Sequence, residues 1–344
     1  MRKGNKYGLH RVIEPEGVLP QTALRIDNSM EIYDNEILID VQTLNIDSAS
    51  FTQIKEQANG DVEKIKEIMM GIVAEKGKQQ NPVTGSGGML IGTVSQIGDA
   101  LIDGELQVGD RIATLVSLSL TPLQIKEIKE IRQGIDQVDI VGQAILFESG
   151  IYAKLPSDME DTLALAVLDV AGAAAQTARL VKSGDNVLII GAGGKSGMLC
   201  LHEAKKRAGI TGKVIAMGHS DSSCQRIKEL GLADAILQGD ATQAVDVLNM
   251  VKEVTDGQLC DVVINNVNIP NTEMGSILSV KDGGKIYFFS MATSFTKAAL
   301  GAEGVGKDAE MIIGNGYCKD HDLISLQILR ENKKIKEIFE NLYT

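Results

Sequence analysis

The first residues whose types and spacing suggest chemistry lie in the second half of the chain, at 186–197. Their sequence is N-V-L-I-I-G-A-G-G-K-S-G, in which a short run rich in β-branched residues turns through glycines into a segment with helical spacing. Glycine adopts positive φ and lets a ligand approach the backbone, and the first amides of a helix lack internal partners and attract phosphate. The segment therefore predicts a strand, a tight turn and a helix N-terminus that could bind a pyrophosphate.

The dinucleotide-binding motif G-x-G-x-x-G fits this segment with one departure. Gly191 and Gly193 occupy its first two positions, Ser196 occupies the third, and Gly197 follows one place late. The third position serves close packing of the helix on the strand, which a serine is small enough to allow. A plain structural turn is the alternative. If the surrounding elements agree, we expect the cofactor to contact Gly191, Gly193, Gly194, Lys195, Ser196 and Gly197.

A P-loop is the rival motif, because Gly194-Lys195-Ser196 resembles its G-K-S end. The G-x-x-x-x-G-K spacing of that motif also requires an earlier glycine, and Ile189 occupies that position inside the predicted strand. We therefore reject the P-loop.

The bulk composition limits the class of protein. A chain of 344 residues exceeds the usual single domain, so two domains are expected. Its 46 acidic and 34 basic residues give a formal charge of -12, which argues against a nucleic-acid or anionic-membrane surface. A small cationic substrate is compatible with this charge, although ordinary solubility also explains it.

The cysteines and the N-terminus indicate a cytoplasmic protein. The four cysteines have no C-x-x-C spacing, so neither a disulfide framework nor a structural zinc lobe is expected. The N-terminus has no apolar signal core, and charged or polar residues interrupt the most hydrophobic helical stretch, 163–181. We therefore expect no membrane-spanning or targeting segment.

Residues 1–154 show the pattern of a β-rich domain. Apolar runs between turn residues predict strands at 36–43, 89–97 and 140–147. Residues 61–75 place apolar side chains at helical spacing with lysines and glutamates opposite, which predicts an amphipathic helix inserted between the first two strands. Residues 122–134 have the same kind of spacing and end at a glycine, so a second, shorter helix is predicted there.

From Pro156 onward, strands and helices alternate. Apolar strand candidates lie at 187–190, 214–217, 235–237, 262–264, 286–289 and 311–313. Continuous apolar strands separated by helices imply a parallel sheet covered on both faces, and six of them beginning at the glycine segment match a doubly wound dinucleotide-binding domain. We predict an α/β fold with a Rossmann domain over 155–317, and expect the helical tail, 318–344, to complete the β-rich domain.

A β-rich domain followed by a Rossmann domain resembles the medium-chain dehydrogenase/reductase superfamily, whose catalytic domain is GroES-like. The matching segments are E-I-L-I-D-V at 36–41, G-T-V at 92–94, V-G-D-R-I at 108–112, S-G-D-N-V-L at 183–188 and G-G-K-I at 283–286. The resemblance spans nearly the whole chain and implies an oxidoreductase with a dinucleotide cofactor.

Two longer segments narrow the resemblance to one family of that superfamily. N-K-Y-G-L-H-R-V-I-E-P at 5–15 and K-Q-Q-N-P-V-T-G-S-G-G-M at 78–89 are similar to the L-erythro-3,5-diaminohexanoate dehydrogenases of bacterial lysine fermentation. The resemblance implies reversible oxidative deamination, in which the 3-amino group leaves as ammonia, 5-amino-3-oxohexanoate forms and NAD takes the hydride. It also implies a homodimer paired through the edge strand at 311–313.

The resemblance further implies that no catalytic metal is bound. In zinc-dependent relatives a cysteine and a G-H-E box supply the first two ligands, but here Asp47 and Gly87-Gly88-Met89 take those positions, and none of the four histidines lies in either segment. A catalytic zinc needs three protein ligands. Amine oxidation does not require it, because an ammonium with a pKa of about 10 can lose its proton to an ordinary base, whereas zinc chiefly acidifies a hydroxyl.

Asp47 is the leading candidate for the base that takes the ammonium proton and later activates water. It could instead pair with a substrate ammonium, or be a solvated turn aspartate. The 78–89 loop takes the position of the active-site rim, where Gln79, Gln80, Asn81, Thr84 and Ser86 either bind the substrate's charged groups or only shape the turn. Our candidate catalytic residues are Asp47, Asn81, Ser86 and His10.

Two candidates in the 5–15 segment have common structural alternatives. His10 could carry protons, although a lone histidine is more often structural. Arg11 could bind a carboxylate as a planar fork, although an exposed arginine is the commoner outcome.

Cofactor choice depends on the end of the second Rossmann strand, where NAD-binding proteins carry an acidic residue for the adenosine ribose. Gly218 occupies this position, followed by His219, Ser220 and Asp221. Glycine would not repel a 2′-phosphate, which His219 and Ser220 could bind, while Asp221 could replace the missing acid. We keep NAD first, with NADP as the alternative. Residues that end the fourth and fifth strands should flank the nicotinamide or merely cap loops: Asn265, Asn266, Ser290 and Met291.

Two other functions stay open. A zinc-free quinone or enone reductase of the same fold would prefer NADPH; Gly218 favours this function, and the unusual 78–89 loop opposes it. A non-catalytic dinucleotide-binding protein could have lost its metal ligands together with its activity. Turnover of amines distinguishes these possibilities from a diamino acid dehydrogenase.

Overall fold

A computed structural model describes residues 1–83, 85–314 and 316–344, and the chain divides into two units, Met1–Asp161 and Thr162–Thr344. The strands of the first unit are β1 (Val12–Glu14), β2 (Arg25–Ile26), β3 (Glu36–Asn45), β4 (Met89–Ile97), β5 (Arg111–Thr114), β6 (Leu123–Arg132), β7 (Gln137–Phe147) and β8 (Tyr152–Lys154). Its helices are α1 (Ser48–Gln57) and α2 (Val62–Lys76), with 3₁₀ turns at Leu9–Arg11 and Asp99–Leu101.

A six-stranded antiparallel sheet builds the first unit, in the order β6-β7-β3-β4-β5-β8. β3 lies inside this sheet and buries Ile39 and Leu44 in the core, where the apolar side of α2 also packs. α2 begins after Asp61, whose carboxylate accepts the Lys64 N–H at 3.1 Å, and it ends at Gly77, which has positive φ. The predicted amphipathic helix and its flanking strands are confirmed.

The helix predicted at 122–134 is wrong, because the structure has strand β6 there, paired antiparallel with β7. The isoleucines of this strand recur every third residue, as they would on a helix. Two irregularities in the pairing each insert an extra residue into β6. Ile125 and Ile128 consequently lie opposite Gly142 and Ile140, on one face of β7. The bulges convert a three-residue spacing into the two-residue period of a strand.

The second unit is a doubly wound α/β domain. Its strands are β9 (Asn186–Ile190), β10 (Lys213–Gly218), β11 (Ala235–Gln238), β12 (Cys260–Asn265), β13 (Val280–Phe288) and β14 (Ala309–Ile313). The helices from the unit boundary onward are α3 (Asp161–Leu168), α4 (Ala171–Leu180), α5 (Lys195–Ala208), α6 (Asp221–Leu230), α7 (Ala244–Val254), α8 (Glu273–Ser279), α9 (Phe295–Gly304), α10 (His321–Glu331) and α11 (Lys333–Tyr343).

All six strands of this unit are parallel, in the order β11-β10-β9-β12-β13-β14. This is the strand order of the Rossmann fold, with the crossover point beside the first strand. Every strand candidate that the sequence offered after Pro156 is present. The α/β fold with a Rossmann domain is confirmed.

The last two helices belong to the second unit, whereas the sequence predicted that residues 318–344 complete the first domain. α10 packs along α4, and Ser325 donates its hydroxyl hydrogen to the carbonyl of Ala171 at 3.1 Å. α4 begins A-G-A-A-A, and such small side chains let another helix approach closely. α11 contacts α5 and α6, where Lys334 donates to the carbonyl of Glu229 at 2.7 Å. The small-residue face of α4 therefore receives the apolar side of the tail.

Helices α3 and α4 form the most apolar pair. Together they meet the length and composition expected of a membrane span, but they are bent by 52° at the break between them and their side chains are largely buried. No single helix in the described part of the chain is long and apolar enough to cross a membrane.

A buried ion pair anchors the N-terminal segment to the start of β3. The Arg11 guanidinium donates to both carboxylate oxygens of Glu36, at 2.7 and 2.6 Å, and neither side chain is exposed. His10 Nε2 lies 2.8 Å from the same carboxylate, and the Tyr33 N–H donates to it at 3.0 Å. Burial alone would raise the pKa of Glu36, but the hydrogen bonds from Arg11, His10 and Tyr33 outweigh burial and lower it to about 2.

Replacing Glu36 with Gln should destabilise the first unit at neutral pH and flatten its response to acid. The pKa in the fold lies below the ordinary value of 4.5, so the carboxylate stabilises the fold above that pH and its contribution is lost as the pH falls toward 2. Leaving Arg11 buried without its partner costs about 3 to 5 kcal/mol. Hydrogen exchange of the β3 amides at pH 7 and at pH 3 measures both effects. Exposed Glu127→Gln is the control, and equal protection in both variants would contradict the prediction.

Candidate active site

The glycine-rich segment lies where β9 turns into α5. β9 is flanked by β10 and β12, so the turn is at the carboxyl edge of the sheet beside the crossover point, where doubly wound sheets bind ligands. Gly191 has a φ of +79°, a conformation that favours glycine. α5 begins after Gly194, which has no side chain to cap the helix, so the first amides of α5 are available to a phosphate.

Two glycines of this turn have no room for a side chain. A Cβ atom on Gly193 would lie 2.6 Å from the backbone oxygen of Ser223 on α6. A Cβ atom on Gly197 would lie 2.1 Å from the backbone oxygen of Gly191. The sequence assigned the packing position to Ser196; in the structure, Gly197 is the residue that lets the helix approach the strand. The turn therefore has the shape of a pyrophosphate site.

Two polar residues beside the turn, Lys195 and Asn265, already have hydrogen-bond partners. Lys195 donates to the Asp169 carboxylate at 2.8 Å. Asn265 uses its whole amide within the unit, since Nδ2 donates to Thr272 Oγ1 at 2.9 Å and Oδ1 accepts the Val267 N–H at 3.1 Å. Lys195 and Asn265 therefore hold the fold around the cofactor site.

The other predicted strand-end residues differ in their surroundings. Asn266 accepts the Cys200 thiol hydrogen at 3.7 Å, and its Nδ2 is buried without a hydrogen-bond partner. Ser290 accepts the Ala292 N–H at 3.1 Å, as a loop-capping serine does. Met291 is 82% exposed. Asn266 is thus the strand-end residue with hydrogen-bonding capacity left for a ligand.

A cavity of about 210 Å³ extends from the turn along the ends of β9, β10 and β11. Gly218 and His219 lie in its wall, as the sequence predicted for the adenosine site. The sequence-based prediction missed Asp240. This residue closely follows β11, and ligands of doubly wound sheets bind at the carboxyl ends of the strands. The Thr242 N–H and hydroxyl donate to Asp240 at 2.9 and 2.8 Å and lower its pKa. The remaining lining residues are Ile190, Gly191, Met217, Gly239, Ala241, Thr242, Val267 and Ile269.

At Gly218, the last residue of β10, side chains of α6 leave little space. A Cβ atom there would lie 2.4 Å from Ser223 Oγ, so a larger residue would require that serine to move. Ser220 caps α6 by accepting the Ser223 N–H at 3.2 Å. Asp221 accepts the amide hydrogen of Gln238 at 2.7 Å. Ser220 and Asp221 are therefore committed to the fold, and Asp240 is the carboxylate that faces this cavity.

Three of the four candidate catalytic residues meet at the N-terminus of α1. Asp47 is the N-cap of this helix: one carboxylate oxygen accepts the Ser50 N–H at 3.4 Å and the other accepts the Ser86 hydroxyl hydrogen. The hydroxyl oxygens of Ser50 and Ser86 are 2.7 Å apart. Asn81 donates to the Ser50 carbonyl at 3.2 Å and to Gln53 Oε1 at 2.7 Å. We call Asp47, Ser50, Asn81 and Ser86 the polar cluster.

Hydrogen bonds within the 78–89 loop and to residues 20 and 21 hold this loop in place. The Asn81 N–H donates to the Ser86 carbonyl at 2.9 Å, which closes a tight turn. Lys78 is buried and donates to the carbonyls of Pro20 and Gln21 at 2.6 and 3.2 Å, and burial lowers its pKa to about 8. Thr84 lies outside the described residues. The sequence could identify the loop as unusual, but not that it packs on a helix capped by Asp47.

His10 is not part of the polar cluster. Its Nδ1 accepts the Asn5 N–H at 2.8 Å and its Nε2 contacts Glu36, so both ring nitrogens are engaged. The ring also packs against that of Tyr33 in a tilted arrangement, with centroids 4.3 Å apart. Arg11, the other candidate of this segment, is the buried partner of Glu36. Both residues serve the ion pair at β3.

The ligand set around Asp47 does not suit zinc. Its partners are hydroxyls and an amide, and Gly87-Gly88-Met89 supplies no side-chain nitrogen or thiolate. Within the described residues, the one group of three potential ligands whose atoms lie within 4.8 Å is His202, Glu203 and Glu331, on α5 and α10. Its carboxylates already pair with Arg207 and Lys206, at 3.1 and 2.9 Å.

Comparison with known proteins agrees with this architecture. Residues 10–156 match the family model described as the L-erythro-3,5-diaminohexanoate dehydrogenase N-terminal domain. A protein of Acetoanaerobium sticklandii called L-erythro-3,5-diaminohexanoate dehydrogenase is 62% identical over 99% of this chain and 99% of its own length. The chain belongs to the L-erythro-3,5-diaminohexanoate dehydrogenase family. It is therefore an oxidoreductase, and its cofactor is a nicotinamide dinucleotide.

A second member of this dehydrogenase family, from Fusobacterium nucleatum subsp. nucleatum, is 62% identical over the full length of both chains. Residues 196–303 match a model described as zinc-binding dehydrogenase; the matched part lies in the Rossmann unit and does not include Asp47.

Solved structures show the same fold at low sequence identity. A mycobacterial quinone oxidoreductase has a TM-score of 0.55 and 17% identity, over 94% of this chain and 87% of its own. The CurK enoyl reductase has a TM-score of 0.54 and 16% identity, over 96% and 94%. These likenesses establish the medium-chain dehydrogenase/reductase fold.

Replacing Gly193 with Ala should weaken dinucleotide binding. The new methyl group would meet the backbone of Ser223, which cannot rotate away, so the turn and the first amides of α5 must shift. Loss of a charge-assisted phosphate contact costs about 10-fold or more in affinity. Fluorescence titration with NADH measures the change. Gly304→Ala on α9 is the matched control, because nothing lies within 4 Å of its added atom; equal dissociation constants in the two variants would refute this assignment.

Proposed function

We propose that this enzyme oxidises L-erythro-3,5-diaminohexanoate with NAD, releases ammonia and 5-amino-3-oxohexanoate, and uses no catalytic metal, as a step of lysine fermentation. The observation that carries the proposal is the 62% identity, over essentially the full length, to two dehydrogenases named for this diamino acid. The polar cluster adds a chemical reason, since it combines a carboxylate, two hydroxyls and an amide where a zinc-dependent enzyme would carry metal ligands.

The proposed reaction balances with water as co-substrate. The 3-ammonium group loses a proton, so that its lone pair can form a carbon–nitrogen double bond as hydride leaves C3. When bound, the nicotinamide accepts that hydride. Water adds to the iminium carbon and ammonia leaves, so that diamino acid, NAD and water give the oxo acid, NADH, an ammonium ion and a proton. A base is needed first for the ammonium and then for the water.

Asp47 is our candidate for that base, and the restraint of its carboxylate from two sides supports this role. The Ser50 N–H holds one carboxylate oxygen and the Ser86 hydroxyl holds the other, while the side chain stays partly exposed. A carboxylate oxygen can accept more than one hydrogen bond, so both oxygens keep capacity for a substrate ammonium. The adjacent Ser50 and Ser86 hydroxyls, 2.7 Å apart, extend the hydrogen-bonded path from the carboxylate.

The adenosine cavity supports NAD over NADP. Among the described residues, its lining contains the Asp240 carboxylate and no lysine or arginine. The hydrogen bonds from Thr242 lower the pKa of Asp240, so this carboxylate is ionised near neutral pH. A fixed negative charge is compatible with a ribose hydroxyl and repels a 2′-phosphate.

Replacing Asp47 with Asn should lower kcat while preserving the fold. Asparagine caps a helix as well as aspartate does, so α1 should keep its start, but an amide cannot take a proton. We expect kcat with the diamino acid to fall by at least about tenfold, because general-base catalysis typically contributes about a hundredfold or more. Asp61→Asn is the control, since Asp61 caps α2 in the same way. An unchanged kcat would remove Asp47 from the mechanism.

Initial-rate assays with each cofactor and a chelator test the reaction itself. We expect NADH formation that depends on the diamino acid and is unaffected by EDTA, with kcat/KM for NAD at least about tenfold above that for NADP. Activity that EDTA abolishes and zinc restores would overturn the metal-free mechanism. NADPH-dependent quinone reduction without amine oxidation would identify the enzyme as a reductase instead of an amine dehydrogenase. Dinucleotide binding without turnover would indicate a non-catalytic protein.

A further inference from the structure

Gln79 is buried, and its side-chain amide has no hydrogen-bond partner. The residue is 1% exposed, and neither Oε1 nor Nε2 makes a hydrogen bond. Within the described ranges it is the one buried side chain whose donor and acceptor atoms both lack a partner. A buried amide left in this state opposes folding, and native proteins seldom keep one without a reason.

The neighbours of Gln79 show which way its side chain points. Lys78 and Gln80, on either side of it, both direct their side chains to the backbone of Gln21, with contacts of 3.2 and 2.9 Å. Asn81 directs its side chain the opposite way, to Ser50 on α1. In an extended segment, such alternation puts residues two apart on the same side, so we infer that the Gln79 side chain lies on the Asn81 side of the loop, toward the polar cluster.

The backbone around Gln79 is rigidly held. A Cβ atom on Gly87 would lie 2.5 Å from the Gln79 carbonyl oxygen, so the two arms of the loop touch at this point. The preceding Lys78 is buried and bound to the Pro20 carbonyl at 2.6 Å. The backbone that carries this amide is therefore already ordered before a ligand binds, which lowers the entropic cost of binding.

The chemistry of an amide restricts the ligand that would satisfy it. Gln79 offers a donor and an acceptor on one neutral group, so its ligand must provide both partners. A quinone or an enone carries only acceptors and would leave Oε1 unpaired. A 3-amino acid carries a carboxylate and an ammonium on carbons separated by a single methylene, which matches the two atoms of one amide.

We propose that Gln79 is a substrate-specificity residue that binds the 3-amino acid end of the substrate, with Nε2 donating to the carboxylate and Oε1 accepting from the 3-ammonium. This inference rests on the proposed function and assigns the recognition of the reacting end to one side chain. Binding there brings the ammonium to the same side of the loop as Asp47, whose carboxylate would take its proton.

The test is Gln79→Met, which keeps the length of the side chain and removes its polar atoms. We expect KM for the diamino acid to rise about 10- to 100-fold, because two hydrogen bonds to charged groups are lost, while KM for NAD stays within about twofold. The melting temperature should stay the same or rise by about 2 to 4 °C, because a buried unpaired amide is removed.

Gln96→Met is the matched control, since this glutamine is exposed on β4 and lies outside the 78–89 loop. It should leave KM for the diamino acid unchanged. In parallel, 3-aminobutanoate should inhibit the wild type competitively and inhibit Gln79→Met at least about tenfold more weakly.

The outcomes separate this inference from the proposed function. An active wild type whose Gln79→Met variant keeps its KM for the diamino acid overturns the role of Gln79 alone. A melting temperature lowered by several degrees in that variant, with unchanged KM, assigns the amide to the fold and also overturns it. A wild type that neither oxidises the diamino acid nor is inhibited by 3-aminobutanoate overturns both proposals.

Discussion

The two hydrogen bonds to the Asp47 carboxylate join three segments of the first unit. This residue follows the end of β3, caps α1 and accepts the hydroxyl hydrogen of Ser86 from the 78–89 loop. The cap alone would not require an acid, because asparagine or serine satisfies a helix N-terminus equally well. Capping α1 therefore does not explain why this residue is an acid. The same hydrogen bonds that make the cap also fix the orientation of the carboxylate.

Hydrogen bonds alone give the polar cluster a defined geometry. A zinc ion would organise its ligands by coordination, whereas here hydroxyls and amides organise one another by hydrogen bonds. Asn81 spans the Ser50 carbonyl and the Gln53 amide, so the loop is tied to two successive parts of α1. The geometry of the polar cluster consequently depends on the first turns of α1 staying folded.

Sequence patterns predicted the second unit better than the first, for a physical reason. Parallel strands covered on both faces are continuously apolar, so all six were identified, while β6 was mistaken for a helix because its bulges give Ile125 and Ile128 a three-residue spacing. The glycine turn was also predictable, since local stereochemistry demands it. The contacts of Asp47 with the 78–89 loop were not, because they join residues 39 positions apart. Asp240 could have been predicted from its position after the carboxyl end of β11, but it was overlooked.

The first unit buries polar side chains in two different ways, one with hydrogen-bond partners and one without. This difference helps to distinguish a structural role from a functional one. Glu36 and Arg11 are buried with their hydrogen-bonding groups paired, which is how a fold keeps a charge in its interior. Gln79 is equally buried and has no partner. A fold under selection for stability alone would replace that amide with an apolar side chain of the same length. Its presence beside the polar cluster is therefore better explained by a ligand that supplies the missing partners than by the packing of the protein itself.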